Sequence, residues 1–319
     1  MLEHFKADFW LLSRENRGFY SWAEKSRWSL YRAMRRRLGH CRMCDDGSYE
    51  ARDLVQSLFD DGLGLHPLLD VVFESFARAE ARFSLRFIPQ RSNEERLTGH
   101  LISEIEAAIY LAKSNFATRS KERYGVEHQF DFAYTDLSQG GQREKFTGGD
   151  FGLIISVDLP DRPKQVRYAA VQGKKLDAST TVDKAQFETL VRNYGSAACY
   201  LFYDMKSESL APPLVISAAD LQSKIEKNEP AKSFSMQSDA VSSSGLPFSL
   251  WVVSQLAQGK VGQQAADFSG ALTALTKFNF DEVNSNSPNG GVSRLAMVSI
   301  GKPFKLERDL ERGIVVSLD

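Results

Sequence analysis

Cysteine is scarce in this chain, which has 3 cysteines among its 319 residues. So few thiols cannot form the disulfide framework of a small secreted protein, and they fit a reducing compartment. Cys41 and Cys44 have the C-x-x-C spacing of zinc sites, but no second C-x-x-C or H-x-x-x-H pair supplies the other ligands of a tetrahedral site. We therefore interpret them as two thiols at a helix end.

Long apolar runs and a net charge are also missing. No stretch approaches the roughly 20 apolar residues that span a bilayer, and the first residues lack the apolar segment of a signal peptide. The sequence therefore predicts a cytoplasmic protein without membrane association. With 40 Lys and Arg against 41 Asp and Glu, no general basic field attracts nucleic acid, so a nucleic-acid site must be local.

Motifs for nucleotide binding and for nucleophilic catalysis are absent from the sequence. It has no P-loop and no G-x-S-x-G elbow, so an activity coupled to ATP would need a partner subunit with ATPase or helicase activity. A hydrophobic fraction of 42% and a charged fraction of 25% are typical of a globular protein. The length suffices for one large domain or two modest ones.

The pattern of elements predicts an α/β protein with a mixed central sheet flanked by helices. We divide the chain into a helical N-terminal region, an α/β core and a C-terminal α+β extension packed on the core, over residues 1–90, 91–205 and 206–319.

The N-terminal region contains a basic stretch, residues 25–42, which has no acidic residue and includes Arg35, Arg36 and Arg37. Aromatic residues are interleaved with its cations, so it is a candidate surface for phosphates and bases. A solvated helix face that pairs with the acidic turns following it explains the stretch equally well.

The clearest helix begins near residue 92, where Ser92 and Glu95 form a predicted capping box. Its apolar residues fall on one face at about 100° per residue, namely Leu97, Leu101, Ile102, Ile105, Ala108, Ile109 and Ala112. Glu94 projects over this buried stripe and Glu104 lies at its edge. A carboxylate that this helix aims at the sheet is therefore Glu94 first and Glu104 second.

Strand patterns follow this helix. Segments 127–134, 150–158 and 167–176 predict a three-stranded meander with an extended hairpin loop near residues 160–165. A helix over 183–194 and a strand over 197–203 then predict a crossover and a parallel strand. The C-terminal extension has weaker signals: strands at 214–217, 295–300 and 314–318, helices at 218–227, 248–256 and 268–278, and a Ser-rich loop at 233–245.

Polar residues interrupt two of these apolar strands. Asp150 follows two glycines at the start of one strand, while Gln172 and Lys174 lie two apart on its neighbour and share a side. A carboxylate and an amide oxygen suit Mg²⁺ or Mn²⁺, and a lysine beside the cation stabilises phosphoryl charge or deprotonates the attacking water. Glu94 would complete the ligand set.

These residues also have structural explanations. Asp150 is a reasonable turn residue after two glycines, and Lys174 with Lys175 forms a plausible solvated strand end. An ion pair between Asp150 and Lys174 without any metal is the strongest of these alternatives. Together they are less satisfactory, because a central apolar strand rarely buries Gln and Lys without partners.

The order of a helix carboxylate, Asp150 after two glycines, and Gln172-x-Lys174 before a helix and a strand resembles the PD-(D/E)XK nuclease superfamily. The Gln-x-Lys form of the motif is similar to that of the Mrr-like branch of this superfamily. Relatives of this branch include archaeal Holliday-junction resolvases and bacterial anti-phage nucleases. The resemblance covers about residues 93–204. It implies a restriction-endonuclease-like core, with Asp150 and Gln172 as metal ligands, Lys174 as the catalytic lysine and Glu94 as the helix carboxylate.

The resemblance implies a Mg²⁺-dependent DNA endonuclease, active in restriction or phage defence. Lys175 and the arginines at 35–37 would contact DNA, and the flanking regions would contact a second copy or a partner subunit. Two alternatives stay open: a non-catalytic nucleic-acid-binding or assembly subunit with a degenerate nuclease fold, and an RNA-directed nuclease with the same site.

Overall fold

The computed structural model describes residues 66–136, 148–205, 212–222, 232–276, 291–303, 306–309 and 314–317. Helices and strands are numbered here in chain order within these residues. The helices are α1 (Pro67–Arg86), α2 (Glu94–Tyr124), α3 (Lys184–Tyr194), α4 (Ala218–Gln222), α5 (Ser238–Ser244), α6 (Phe248–Trp251, continued by a π-helical turn over Val252–Leu256) and α7 (Phe268–Thr276).

The strands form one large mixed sheet and two small ribbons. They are β1 (Gln129–Asp136), β2 (Phe151–Val157), β3 (Gln165–Leu176), β4 (Ser179–Asp183), β5 (Ala198–Asp204), β6 (Leu214–Ser217), β7 (Ser233–Gln237), β8 (Leu246–Pro247), β9 (Gln263–Ala265), β10 (Arg294–Gly301), β11 (Leu306–Asp309) and β12 (Ile314–Ser317). The large sheet has the order β1-β10-β2-β3-β5-β6-β8, and β9 pairs with the start of β3. The predicted α/β class with a mixed central sheet is confirmed.

The predicted meander is wrong at one position. β2 and β3 are antiparallel, and β5 is parallel to β3 as the crossover predicted. However, β10 lies between β1 and β2, antiparallel to β1 and parallel to β2. The prediction assumed that strands adjacent in sequence pair with each other, which is the commonest arrangement but not the only one. The buried strand β10 lies about 140 residues further along the chain than β2. The sheet therefore runs across the predicted boundary at residue 205.

The two faces of the sheet are covered by different helices. Apolar residues of α1, α2 and α6 pack with Leu153, Val171 and Leu201 on one face. Residues of α3 and α7 pack with Ile154, Ala170 and others on the opposite face. β2 and β5 are buried along their whole length, which explains why both read as nearly continuous apolar runs.

Helix α2 begins one residue later than the capping-box pattern predicted. Asn93 is the N-cap, and its side chain accepts a hydrogen bond from the Arg96 N–H at 2.9 Å. The helix ends at Gly125, whose φ of 76° gives the left-handed conformation that glycine adopts easily. The apolar stripe predicted for this helix is buried, as Leu97, Leu101 and Ile105 illustrate.

The Ser-rich segment 233–245, predicted as a loop, contains β7 and α5. β7 pairs with β4, a short strand that the sequence pattern did not indicate. Both strands are short and rich in Ser and Thr, so their conformation depends on pairing with each other rather than on local propensity. The predicted helix 218–227 is described over α4 alone.

The hairpin loop between β2 and β3 spans residues 158–164 and is fixed to the helices. Asp161 in this loop accepts hydrogen bonds from the Arg123 guanidinium at 2.7 Å and the Tyr124 hydroxyl at 2.5 Å, at the end of α2. His66, the N-cap of α1, approaches the same carboxylate at 3.1 Å. The extended loop that the sequence predicted is therefore anchored.

A buried carboxyl group joins α1 to α6. Glu80 is 1% exposed, and its carboxyl oxygens contact Ser249 at 2.7 Å to the main-chain N–H and 2.5 Å to the hydroxyl. Burial raises the pKa of Glu80 from its ordinary value of 4.5 to about 8, although the contacts with Ser249 oppose this shift. The carboxyl group is therefore protonated at neutral pH.

Glu80 makes the stability of the fold depend on pH. Because its pKa is higher in the folded state, its contribution is complete below about pH 4.5 and is lost as the pH rises towards 8. We expect the free energy of unfolding in urea to fall between pH 5.5 and 8 by up to ~1.4 kcal/mol per pH unit. Glu80→Gln should remove this slope, whereas Glu106→Gln on the exposed face of α2 should keep it. Equal slopes in both variants would contradict the assignment.

Candidate active site

Two glycines bring Asp150 to the start of β2. Gly148 has a φ of 71°, and a Cβ atom there would lie 2.5 Å from the main-chain oxygen of Gln186 in α3, so only glycine fits. The Asp150 N–H then donates to the Val171 carbonyl at 2.8 Å. Because Phe151 pairs with Val171, Asp150 lies beside Gln172 on the next strand.

Asp150 and Gln172 are in direct contact. The Gln172 Nε2 donates to Asp150 Oδ1 at 2.9 Å, and the Gly173 N–H donates to Asp150 Oδ2 at 2.7 Å. Asp150 is 8% exposed and Gln172 is 1% exposed. A buried carboxylate needs such donors, since hydrogen bonds to a charged group offset part of its desolvation.

Gly173 leaves room for this carboxylate. A Cβ atom at position 173 would lie 3.0 Å from Asp150 Oδ2 and 3.2 Å from both Thr98 Oγ1 and Tyr203 Cε2. A glycine inside a buried strand often marks such a close approach. The glycine between Gln172 and Lys174 is the sequence signal for this contact.

Glu94 reaches the same end of β3 from the other face of the sheet. Its Oε1 accepts a hydrogen bond from the Lys175 N–H at 2.9 Å, and its Oε2 lies 3.8 Å from Lys174 Nζ. The side chain of Lys174 is 14% exposed. Pairing with β2 stops at Val171, so residues 172–176 of β3 extend beyond the described β2. At this end of β3, Asp150 contacts Gln172 and Glu94 lies beside Lys174.

Glu104 is engaged elsewhere. It accepts hydrogen bonds from Arg82 Nε at 2.8 Å and Arg86 Nη1 at 3.1 Å, so it joins α2 to α1. Its position at the edge of the apolar stripe turns it towards the neighbouring helix instead of the sheet. Of the two candidate helix carboxylates, Glu94 is the one that contacts Lys174.

Glu95 does not form the predicted capping box. Its carboxylate accepts a hydrogen bond from Arg294, the first residue of β10, whose guanidinium also lies 3.9 Å from Asp136. The capping box predicted from Ser92 and Glu95 is wrong for two reasons. Asn93, and not Ser92, is the N-cap, and Glu95 pairs with Arg294 of a strand that is distant in sequence. The N-terminus of α2 is thus tied to the inserted strand.

A buried hydroxyl pair supports the site from the side of α2. The Tyr203 hydroxyl is hydrogen-bonded to Thr98 Oγ1 at 2.8 Å, and Thr98 in turn donates to the Glu94 carbonyl at 3.0 Å. Burial raises the pKa of Tyr203, so its hydroxyl stays protonated. Neither residue was selected from the sequence, although Thr98 is a polar residue next to the apolar stripe.

On the side of α3, Gln186 contacts Gln172. Its Nε2 donates to Gln172 Oε1 at 3.1 Å, and its own main-chain N–H is capped by Asp183. Helical periodicity alone gave no reason to select Gln186, because its contact depends on how α3 packs against β3.

Tyr200 lies opposite Gln172 on β5. It is fully buried, and its hydroxyl has no hydrogen-bond partner among the described residues. Burial, and then the charges of Asp150 and Asp183, raise the pKa of this hydroxyl.

The donor set of the site is small. The described residues contain no group of three or more His, Cys, Asp and Glu side chains placed to hold a metal ion. The oxygen donors at this end of β3 are the carboxylates of Asp150 and Glu94 and the carbonyls of Gln172 and Gly173. Gln172 Nε2 lies within hydrogen-bond distance of both Asp150 Oδ1 and the Gly173 carbonyl, at 2.9 and 3.2 Å. A donor already occupies the position between these two oxygens.

Other predicted features lie outside the described residues. These are the basic stretch with Arg35, Arg36 and Arg37, and the thiols of Cys41 and Cys44. Lys175 is described, and its main-chain N–H binds Glu94. In the part of the chain that is described, no helix combines the length and the apolar content needed to cross a membrane.

Comparisons with protein-family models, with curated proteins and with solved structures gave no match for this chain.

The unpartnered hydroxyl of Tyr200 leads to a stability prediction. Tyr200→Phe should leave the free energy of unfolding unchanged or raise it by up to ~1 kcal/mol, because it removes a buried polar group without a partner. Tyr203→Phe makes the same change on the same strand but removes a bonded hydroxyl, and should cost ~1 kcal/mol or more. Urea unfolding measures both. A larger loss for Tyr200→Phe than for Tyr203→Phe would show that Tyr200 has a partner.

We expect substitution of Gly173 by alanine to destabilise the protein. Gly173→Ala forces Asp150, Thr98 or Tyr203 to move, and should lower the free energy of unfolding by ~1–3 kcal/mol. Gly99 is the matched control, because a Cβ there meets nothing within 4 Å. Gly99→Ala, in the second turn of α2, should stabilise the protein by ~0.5–1 kcal/mol. Equal effects of the two substitutions in urea unfolding would contradict the close packing at Gly173.

Proposed function

We propose that this chain is a metal-dependent nuclease that hydrolyses phosphodiester bonds, with DNA as its substrate. The observation that carries the proposal is that Asp150 contacts Gln172 and Glu94 lies beside Lys174, with Gln172 and Lys174 two residues apart on β3. The residues come from three separate elements, and the sequence selected all four for this chemistry. A buried Asp and Gln together with a mostly buried Lys are costly to maintain in a core without a function.

The order of the elements supports the same proposal. A helix with a carboxylate, a strand, an antiparallel hairpin, a crossover helix and a parallel strand follow one another as α2, β1, β2, β3, α3 and β5. This is the arrangement that a restriction-endonuclease-like core implies. The inserted β10 is a departure, but it leaves β1 antiparallel to β2, so the strand directions agree with that core.

The donor set fits a hard divalent cation. Asp150 and Glu94 supply carboxylates, and the Gln172 and Gly173 carbonyls supply neutral oxygens, which are the ligand types of Mg²⁺ and Mn²⁺. When bound, such a cation would lower the pKa of a coordinated water and offset the charge of the phosphate. Gln172 would need to present its oxygen, because its N–H now faces Asp150.

Lys174 has the properties expected of the catalytic lysine. Its ammonium group lies 3.8 Å from the carboxylate of Glu94, which limits its movement. At this end of β3 it would donate hydrogen bonds to a phosphate oxygen or orient the attacking water. Lys175, next in the strand, would contact the DNA backbone.

A second function is favoured by one specific observation. Both carboxylate oxygens of Asp150 already accept hydrogen bonds from Gln172 and Gly173, so the group is satisfied without a cation. Such self-sufficiency is what a degenerate site would have. The alternative is therefore a subunit that binds nucleic acid without cutting it.

Nuclease assays distinguish these functions. Purified protein is incubated with plasmid DNA, single-stranded DNA and RNA, in Mg²⁺, Mn²⁺ or EDTA. We expect cutting of DNA that EDTA abolishes, and a loss of at least ~100-fold in rate for Asp150→Asn and Lys174→Met.

Lys164→Met is the matched control for Lys174→Met, because Lys164 lies in the hairpin loop at the far end of β3 and its side chain is 58% exposed. This variant should cut as the wild type does. Cutting that survives both site substitutions would exclude this site. Binding of DNA without cutting under every condition would support the second function, and cutting of RNA alone would change the substrate.

A further inference from the structure

The side-chain amides of Gln172 and Gln186 form a chain that ends on Asp150. Gln186 Nε2 donates to Gln172 Oε1 at 3.1 Å, and Gln172 Nε2 donates to Asp150 Oδ1 at 2.9 Å. A primary amide has a donor end and an acceptor end. The end of Gln172 that faces Asp150 therefore fixes the end that faces Gln186.

Burial makes this coupling strict. Gln172 is 1% exposed, so water cannot replace a missing partner at either end of its amide, and an unsatisfied buried end costs free energy. Gln186 is only half-buried in the first turn of α3. It is therefore able to turn over and present either its N–H or its oxygen to Gln172, while solvent satisfies its other end.

We propose that Gln186 is a positioning residue that sets the affinity of the site for a divalent cation by selecting the orientation of the Gln172 amide. With Gln186 donating, Gln172 presents its N–H to Asp150 and the position between Asp150 and the Gly173 carbonyl is closed to a cation. With Gln186 accepting, Gln172 presents its oxygen and joins the donor set. The inference rests on the proposed function, because it concerns the same cation.

The orientation also explains why a neutral glutamine serves at this position. A carboxylate at position 172 would accept from every side, and it would repel Asp150 when no cation is bound. In the absence of a cation, the amide instead stabilises the Asp150 carboxylate by donating a hydrogen bond to it. When the amide group turns over, its oxygen becomes a ligand of the cation. Gln186 makes reversal possible without leaving a buried amide end unpaired.

Cation binding without nucleic acid tests the inference directly. Mn²⁺ is titrated into the 319-residue chain, and free Mn²⁺ is measured by electron paramagnetic resonance. Gln186→Met removes the partner of Gln172 in both orientations without changing the charge. It should weaken Mn²⁺ binding about tenfold, because the reversed amide leaves a buried N–H without an acceptor, which costs more than a carbonyl oxygen without a donor.

Gln186→Glu should have the opposite effect. The introduced carboxylate only accepts, so it draws the Gln172 N–H towards α3 and leaves the Gln172 oxygen facing Asp150. Ala185→Glu adds the same charge at the neighbouring exposed position of α3 and controls for simple attraction of the cation. Gln186→Glu should bind Mn²⁺ about tenfold more tightly than Ala185→Glu.

The outcomes separate this inference from the proposed function. Wild type that binds no Mn²⁺ would show that the proposed metal site itself is wrong, and the inference would fall with it. Wild type that binds Mn²⁺ with unchanged affinity in Gln186→Met, or with equal affinity in Gln186→Glu and Ala185→Glu, would overturn the role of Gln186 alone. Urea unfolding of each variant confirms that the fold is retained, and a structural role would weaken binding in both Gln186 variants.

Discussion

The buried carboxylate of Asp150 is the constraint on which the site depends. It is held by the Gln172 amide and the Gly173 N–H, and the close approach of its oxygen requires glycine at position 173. Glycine is also required at position 148, where the chain turns against α3. Gln172 and the two glycines therefore meet one requirement: a buried carboxylate needs hydrogen-bond donors and enough space inside the sheet.

The sheet places this carboxylate at the start of β2, beside the last residues of β3. β3 is longer than its partner β2, so its last residues pair with β5 on one side and extend beyond the described β2 on the other. Helices from both faces contribute there: α2 brings Glu94 and Thr98, and α3 brings Gln186. A site at the end of a strand between two layers of helices is held in place by rigid elements.

The inserted strand β10 gives the C-terminal part of the chain a role in the same architecture. It fills the position between β1 and β2, and its first residue, Arg294, pairs with Glu95 at the start of α2. Residues separated by about 200 positions therefore fix the end of the helix from which Glu94 projects. Changes in β10 are expected to reach the site through this pair and through the position of β2.

Local pattern determined much of this protein. The stripe of α2, the apolar runs of β2, β3 and β5, and the crossover through α3 follow from periodicity, because burial of one face or both faces leaves its mark on consecutive residues. The same patterns selected Asp150, Gln172, Lys174 and Glu94, whose polar character stands out against apolar neighbours. The tertiary structure alone decided the insertion of β10, the pairing of β4 with β7, and the contacts of Gln186, Tyr200 and Tyr203. Those features arise between segments far apart in the chain, and the free energy that selects them comes from contacts that no local window of sequence contains.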